Sequence, residues 1–134
     1  MSAEGMVMGL DYGEKRVGVA LAHSVARIGQ PHRTLPNDDD LPGRLLDVIK
    51  HEKVVQIVVG LPLNMDGSAG FQAESCRGFA GKLAQATSVP IVLQEETLSS
   101  VDAETQFSSK IIDEFGLDAA AAAVILDRYF AEKV

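Results

Sequence analysis

A three-layer α/β/α fold around a five-stranded mixed sheet is what this sequence predicts, and three observations predict it. The 134 residues suit one domain, spanning 1–134, with little room for a second. Strand and helix patterns alternate in the order β-β-β-α-β-α-β-α-α, so three leading strands precede two βα units. Val54 to Leu61 (VVQIVVGL) is nearly all apolar, as a central strand covered on both faces would be.

Met6 to Leu10 and Arg16 to Ala22 read as two strands joined by the turn residues Asp11, Tyr12, Gly13 and Glu14. A third strand near Gln30 to Thr34 completes a meander, and Asn37 to Asp40 is a short polar loop. A helix follows from Leu41 to Glu52, opened by Asp40 with Pro42 in its first turn. Its Leu41, Leu45, Val48 and Ile49 share one face. After the central strand, Phe71 to Ala86 is helical, with Phe79, Ala80 and Leu83 inward. Val89 to Leu93 is another buried strand, followed by the polar patch Gln94, Glu95 and Glu96. Ser99, with Asp102 three residues on, reads as the cap of a helix reaching Ser109. The last helix starts at Asp118 and buries Ala122, Ile125, Leu126, Tyr129 and Phe130. This order is the layout of RNase H-like domains.

Composition narrows the function. With 46% hydrophobic residues and mean hydropathy +0.09, the chain can bury a core without staples. Its one cysteine, Cys76, lies on an Ala-rich helical stretch and reads as a buried small hydrophobe. The N-terminus lacks a basic region and a cleavage site, and no apolar run approaches the ~20 residues of a membrane span. A cytoplasmic protein with no membrane partner is expected. Nineteen acids against twelve bases give a net charge of −7, with a pI near 4.8. A nucleic-acid binder usually shows a basic footprint, so the overall charge argues mildly against that class.

The chemistry-bearing positions nevertheless favour it. In a sheet with parallel members, ligands collect beyond the carboxyl ends of those strands. Asp11 ends the first strand, Glu95 and Glu96 follow the fifth, and Asp118 opens the last helix, so carboxylates from three distant parts of the chain are expected to converge on one edge. Hydrolysis of a phosphodiester needs Lewis-acid help at the attacking and leaving oxygens. Two hard cations about 3.5–4 Å apart supply it. Mg²⁺ takes one or two protein carboxylates, waters and substrate oxygens. His23, His32 and His51 are scattered and fit no zinc spacing. Each acid also has a plainer reading: Asp11 as a hairpin-turn residue, Asp118 as a helix cap, Glu96 as solvated surface.

Longer motifs carry a resemblance. Gly9-Leu10-Asp11-Tyr12-Gly13-Glu14-Lys15-Arg16-Val17-Gly18-Val19-Ala20 closely resembles the N-terminal signature of the YqgF/RuvX family, and Val59 to Ser68 (VGLPLNMDGS) its second. Glu95-Glu96-Thr97-Leu98-Ser99-Ser100 is similar to the third, usually Asp-Glu-Arg-Leu-Thr-Thr, and Leu117-Asp118 with Ala119 to Leu126 to the fourth. The resemblance covers almost the whole chain. It implies an RNase H-like fold and a nuclease using Mg²⁺ or Mn²⁺, with two ions. Family members are described as Holliday-junction resolvases or as nucleases maturing the 5′ end of pre-16S rRNA. The family's three acids carry over onto Asp11, Glu96 and Asp118 as catalytic and metal-holding residues. Lys15 and Arg16 are candidates for phosphate contact, though a solvated hairpin pair accounts for them equally. The Asn64 to Gly67 turn is expected near the site.

Three departures stand out. Glu95 replaces the usual Asp and preserves charge. Thr97 stands where the family has Arg, which removes a bidentate phosphate donor. Gln106 to Gly116 is short and carries only Lys110, where the family has a longer basic stretch. Both of the latter weaken the grip on substrate rather than the chemistry.

The leading expectation is a metal-dependent endonuclease acting on a structured RNA precursor. Resolution of branched DNA uses the same chemistry, but needs two symmetric cuts, so a homodimer would favour it and a monomer RNA processing. Asp-x-Gly before a hairpin also resembles the phosphate loop of actin-like ATPases, which need two such domains where this length supplies one. A non-catalytic ribosome- or nucleic-acid-binding module is the remaining class. It has no need of three convergent like charges.

Overall fold

The computed structural model describes residues 4–64, 66, 68–96 and 99–133, with the backbone alone for 99–101. Thr97, part of the 64–67 turn, and the capping side chain expected at Ser99 therefore lie outside the described residues.

Alternating apolar residues make β1 (Met6–Tyr12) and β2 (Arg16–His23) into a hairpin closed where the Gly13 amide donates to the Arg16 carbonyl at 2.9 Å. β3 (Gln30–Pro36) adds an antiparallel edge. Helix α1 (Leu41–His51) crosses back to the parallel strand β4 (Val54–Pro62), and α2 (Phe71–Ala86) leads to β5 (Ile91–Glu96). The strand order is β3-β2-β1-β4-β5, antiparallel among the first three and parallel across β1–β4–β5. This is the mixed five-stranded sheet that the element order predicts.

Strand parity decides which side chains each helix layer covers. Met8, Leu10, Val17, Val19, Leu21, Ile57 and Val59 point to one face and pack with Leu41, Leu45, Val48, Ala80 and Leu83 of α1 and α2. Val7, Ala20, Ala22 and Val58 point to the other and pack with Ala122, Ala123, Ile125, Leu126 and Phe130 of α5 (Leu117–Ala131).

The chain between β5 and α5 differs from expectation. The helix expected to run from Ser99 to about Ser109 ends at Gln106 as α3 (Ser99–Gln106), and a further helix, α4 (Ser109–Phe115), follows it. The Ser108 hydroxyl caps α4 by accepting from the Ile111 amide, which starts a helix too short for its periodicity to show. These helices explain a second difference. α5 buries every residue from Ala119 to Leu126 and not one stripe, because Ala103, Phe107 and Ile112 cover its outer side. Among the described residues no helix is long and apolar enough to cross a membrane.

Candidate active site

Asp11 belongs to β1 itself, where it pairs with Gly18 of β2, and not to the hairpin turn. Its parity is that of Val7 and Gly9, so its side chain stands on the α5 face. Gly18 sets what meets it there. A methyl group at Gly18 would lie 1.9 Å from the Asp118 carbonyl oxygen and 2.6 Å from the Ala119 nitrogen. The first turn of α5 thus rests directly on bare β2 backbone, across the ladder from Asp11. The preceding corner is pinned as well. Gly116, at φ +94°, abuts Thr34 of β3, whose hydroxyl donates to the Phe115 carbonyl at 2.7 Å. α5 begins at Leu117 with Gly116 as its cap, so Asp118 lies within the first turn and does not cap the helix with its side chain.

β5 carries the third acid, and parity separates two candidates. Val92 packs on the α5 side and Gln94 is buried, so Glu96 follows them, 7% exposed; Leu93 and Glu95 alternate outward and are exposed. The sequence places Glu96 in a polar patch after the strand, whereas it is the strand's last residue. One of its oxygens, Oε2, accepts from Nη1 of Arg128 at 2.5 Å; the other, Oε1, is buried without a hydrogen-bond partner. The second amino group of Arg128 reaches the Asp102 carboxylate.

Burial first, then the charges of Asp118 and Glu96, push the Asp11 carboxyl from 3.8 up to about 7. Three segments 85 and 22 residues apart therefore bring like charge to bear on one group. Positive charge answers it in part: Arg16 donates from Nε to Asp118 Oδ2 at 3.2 Å, and Arg128 holds Glu96. Among the described residues no three His, Cys, Asp or Glu side chains are grouped closely enough to hold one metal ion. The acids are thus an electrostatic cluster and not a closed cage. Their chemistry still suits a hard divalent cation: all donors are carboxylate oxygens, and one buried oxygen lacks a partner.

The flanking residues fall into place around this cluster. Lys15 is exposed on the hairpin turn, and Arg16, also exposed, lies against Asp118. The Leu63 amide donates to the Glu96 carbonyl at 3.0 Å, so the loop after β4 runs beside β5's end. Within that loop Asn64 donates to Ser68 Oγ, and Asp66 accepts from the Ser68 amide and hydroxyl, which holds its carboxyl below the usual range. Cys76 is buried under the same corner, where burial and Asp11 push its thiol up to about 11.

Sequence reasoning missed Arg128, Thr34 and the role of Gly18. Arg128 lies 32 residues from Glu96 and leaves no local trace. A glycine inside a strand does leave one, since it marks a close backbone approach.

Comparison with known proteins adds the family. The model of the RuvX family, described as a Holliday junction resolvase, matches residues 5–132. A protein of Anaeromyxobacter sp. (strain Fw109-5) named "Putative pre-16S rRNA nuclease" is 43% identical over 129 residues, covering 89% of this chain and 91% of its own. One of the same name from Maridesulfovibrio salexigens is 34% identical, covering 93% and 97%. Among solved structures, RuvC of T. thermophilus in complex with a Holliday junction substrate superposes with a TM-score of 0.57 at 12% identity, over 96% of both chains. Fowlpox virus resolvase with Holliday junction DNA superposes with a TM-score of 0.57 at 11% identity, over 96% of this chain and 97% of that one. These two likenesses carry the fold alone, which is RNase H-like. With its fold, its four motifs and the match over residues 5–132, the chain belongs to the RuvX family of phosphodiester-hydrolysing nucleases.

Proposed function

We propose that this nuclease is a metal-dependent endonuclease that matures the 5′ end of pre-16S rRNA in the cytoplasm, with Asp11, Glu96 and Asp118 as its catalytic acids. The observation that carries the site assignment is the rise of the Asp11 carboxyl to about 7 through burial and two acids remote in sequence. Convergent like charge of this kind costs stability, and bound cations would offset that cost. Two Mg²⁺ or Mn²⁺ ions, when bound, would supply Lewis-acid stabilisation at the attacking and leaving oxygens. The chain's own part is to present carboxylate oxygens from a strand, a strand end and a helix start. The unpartnered Glu96 Oε1 and Asp11 are the oxygens nearest that task, and Asp118 joins them when Arg16 releases it. Arg16, with Lys15 beside it, is then positioned to hold a substrate phosphate.

The substrate is the pre-rRNA by the names of the relatives that match most of the chain. The family's description as a resolvase favours a second reading, cleavage of four-way DNA junctions by a homodimer. Offering the purified protein both substrates with Mg²⁺ or Mn²⁺ separates the two: a specific cut in the precursor rRNA and none in the junction is expected. For the mechanism, Asp11→Asn is expected to abolish cleavage while the protein stays folded by circular dichroism. Full cleavage by that variant, or by the parent in EDTA, removes the assignment.

A further inference from the structure

We propose that Phe71 is a stacking platform for an unpaired base of the substrate RNA, next to the cleavage site. Phe71 is 87% exposed, while every other described aromatic residue is half-buried or buried. Isolated exposed hydrophobics are ordinary on protein surfaces, and Val25 and Ile28 are two more here. Those two lie in the β2–β3 connection, at the end of the sheet remote from the acids, and carry no ring. Phe71 differs in both chemistry and place.

Its place follows from a chain of contacts. Leu63 donates its amide to the Glu96 carbonyl and pairs with Ala69 in an isolated antiparallel bridge, two residues before Phe71. Further along α2, Ala73 and Cys76 are buried against Leu61, Leu63 and Tyr12, and the Cys76 thiol lies 3.8 Å from the carbonyl of Tyr12, the residue after Asp11. The first turn of α2 is therefore anchored at the end of the sheet where Asp11 and Glu96 sit. Phe71 crowns it on the side opposite α5. A strand lying across the strand ends, with its scissile phosphate at the acids, would pass this ring. Every base offers a flat π face, so stacking tolerates sequence, and such contacts recur where unpaired RNA is held. Within a duplex each base face is covered by the neighbouring pairs, so away from duplex ends the platform selects single-stranded over duplex RNA around the cut. It also compensates for a protein of net charge −7, which has little electrostatic attraction to offer a phosphate backbone.

This inference rests on the nuclease reading above, and the test keeps the two apart. Binding is measured by fluorescence anisotropy, with Asp11→Asn in the background so that the strand stays whole, on a short single-stranded RNA and on its blunt duplex. Phe71→Ala is expected to weaken single-strand binding about ten-fold or more, to leave duplex binding unchanged, and to leave the melting temperature unchanged because the side chain is exposed. Phe71→Tyr retains affinity. The chain has no tryptophan, so Phe71→Trp gives a single tryptophan whose emission is excited apart from that of the two tyrosines, and its fluorescence is expected to be quenched by the single strand. Equal single-strand affinity for Phe71→Ala and its parent, or unchanged tryptophan emission on binding, overturns the platform and leaves the nuclease reading intact. A parent that binds neither RNA overturns both.

Discussion

On the face covered by α1 and α2, strands β1, β2 and β4 present Met8, Leu10, Val17, Val19, Ile57 and Val59. On the face covered by α5, the intervening positions include Gly9, Gly18, Ala20 and Gly60, set against a helix whose first buried residues, Ala119 to Ala123, are all alanine. The first face is held apart by large side chains and makes an ordinary aliphatic core. The second brings helix and sheet backbones together: a methyl at Gly9 would come within 2.9 Å of the Ala122 carbonyl, and one at Gly60 within 2.4 Å of Ile125 Cδ1. Closeness is what puts Asp118 beside Asp11. One face supplies cohesion, and the other trades bulk for position.

Filling a gap on the α5 face tests that division most severely. Gly18→Ala places a methyl on the Asp118 backbone, so α5 must shift, at a cost of about 1–3 kcal/mol of stability. Activity should suffer more, because misplacing a reacting group by ~1 Å is able to cost about a hundred-fold in rate. Steady-state cleavage per folded molecule, with folding checked by urea titration, is the measurement. Undiminished cleavage would mean that the approach of α5 does not position Asp118.

The opposite face should respond in stability alone. Leu45 is fully buried among Met8, Leu10 and the strand valines, and Leu45→Ala is expected to lower unfolding free energy by about 3 kcal/mol. Cleavage by the molecules that remain folded should stay within about two-fold of the parent. A large fall in turnover with little loss of stability would blur the distinction between the faces.

How much of this was legible in the sequence differs between the same two faces. Periodicity gave β2, β4, α1 and α2 nearly to the residue, because aliphatic runs and an amphipathic stripe record the α1/α2 core directly. β5, expected as a buried strand over Val89 to Leu93, runs instead from Ile91 to Glu96 at the sheet edge with Leu93 exposed, since an apolar run does not tell which strand ends the sheet. α5 was legible as a helix, but its burial all round was not, since nothing local tells Ala120 and Ala121 that α3 and α4 lie over them. The three acids were chosen from strand ends and motifs. Asp11 and Glu96 turned out to lie within strands, so parity, and not loop geometry, selects Glu96 over Glu95. What pairs with them stayed hidden. Arg16 with Asp118 spans 102 positions and Arg128 with Glu96 spans 32, and charged partners at such separations leave no spacing to read. The strand glycines Gly9, Gly18 and Gly60 were local traces of a tertiary contact, and their meaning depends on knowing what rests upon them.

The smallest expected effect concerns the charge that the α5 face confines. In an unfolded chain Asp11 titrates near 3.8, and in the fold near 7, because burial and then Asp118 and Glu96 oppose its ionisation. Between these values the folded protein holds a proton that the unfolded chain has lost, so stability falls as pH rises through this window and the full penalty persists above it. Asp11→Asn has no such proton to lose. In EDTA near pH 8 the variant is expected to be more stable than its parent by about 2 kcal/mol, which is less than a full ~1.4 kcal/mol for every pH step across that window because the site relaxes around the charge. Near pH 5 the advantage should shrink to less than half, since the parent is by then protonated in the fold. Urea unfolding at the two pH values measures both differences. An advantage that is the same at both would mean that Asp11 is not held among like charges, and the reading of this corner as a place where acids meet would lose its electrostatic basis.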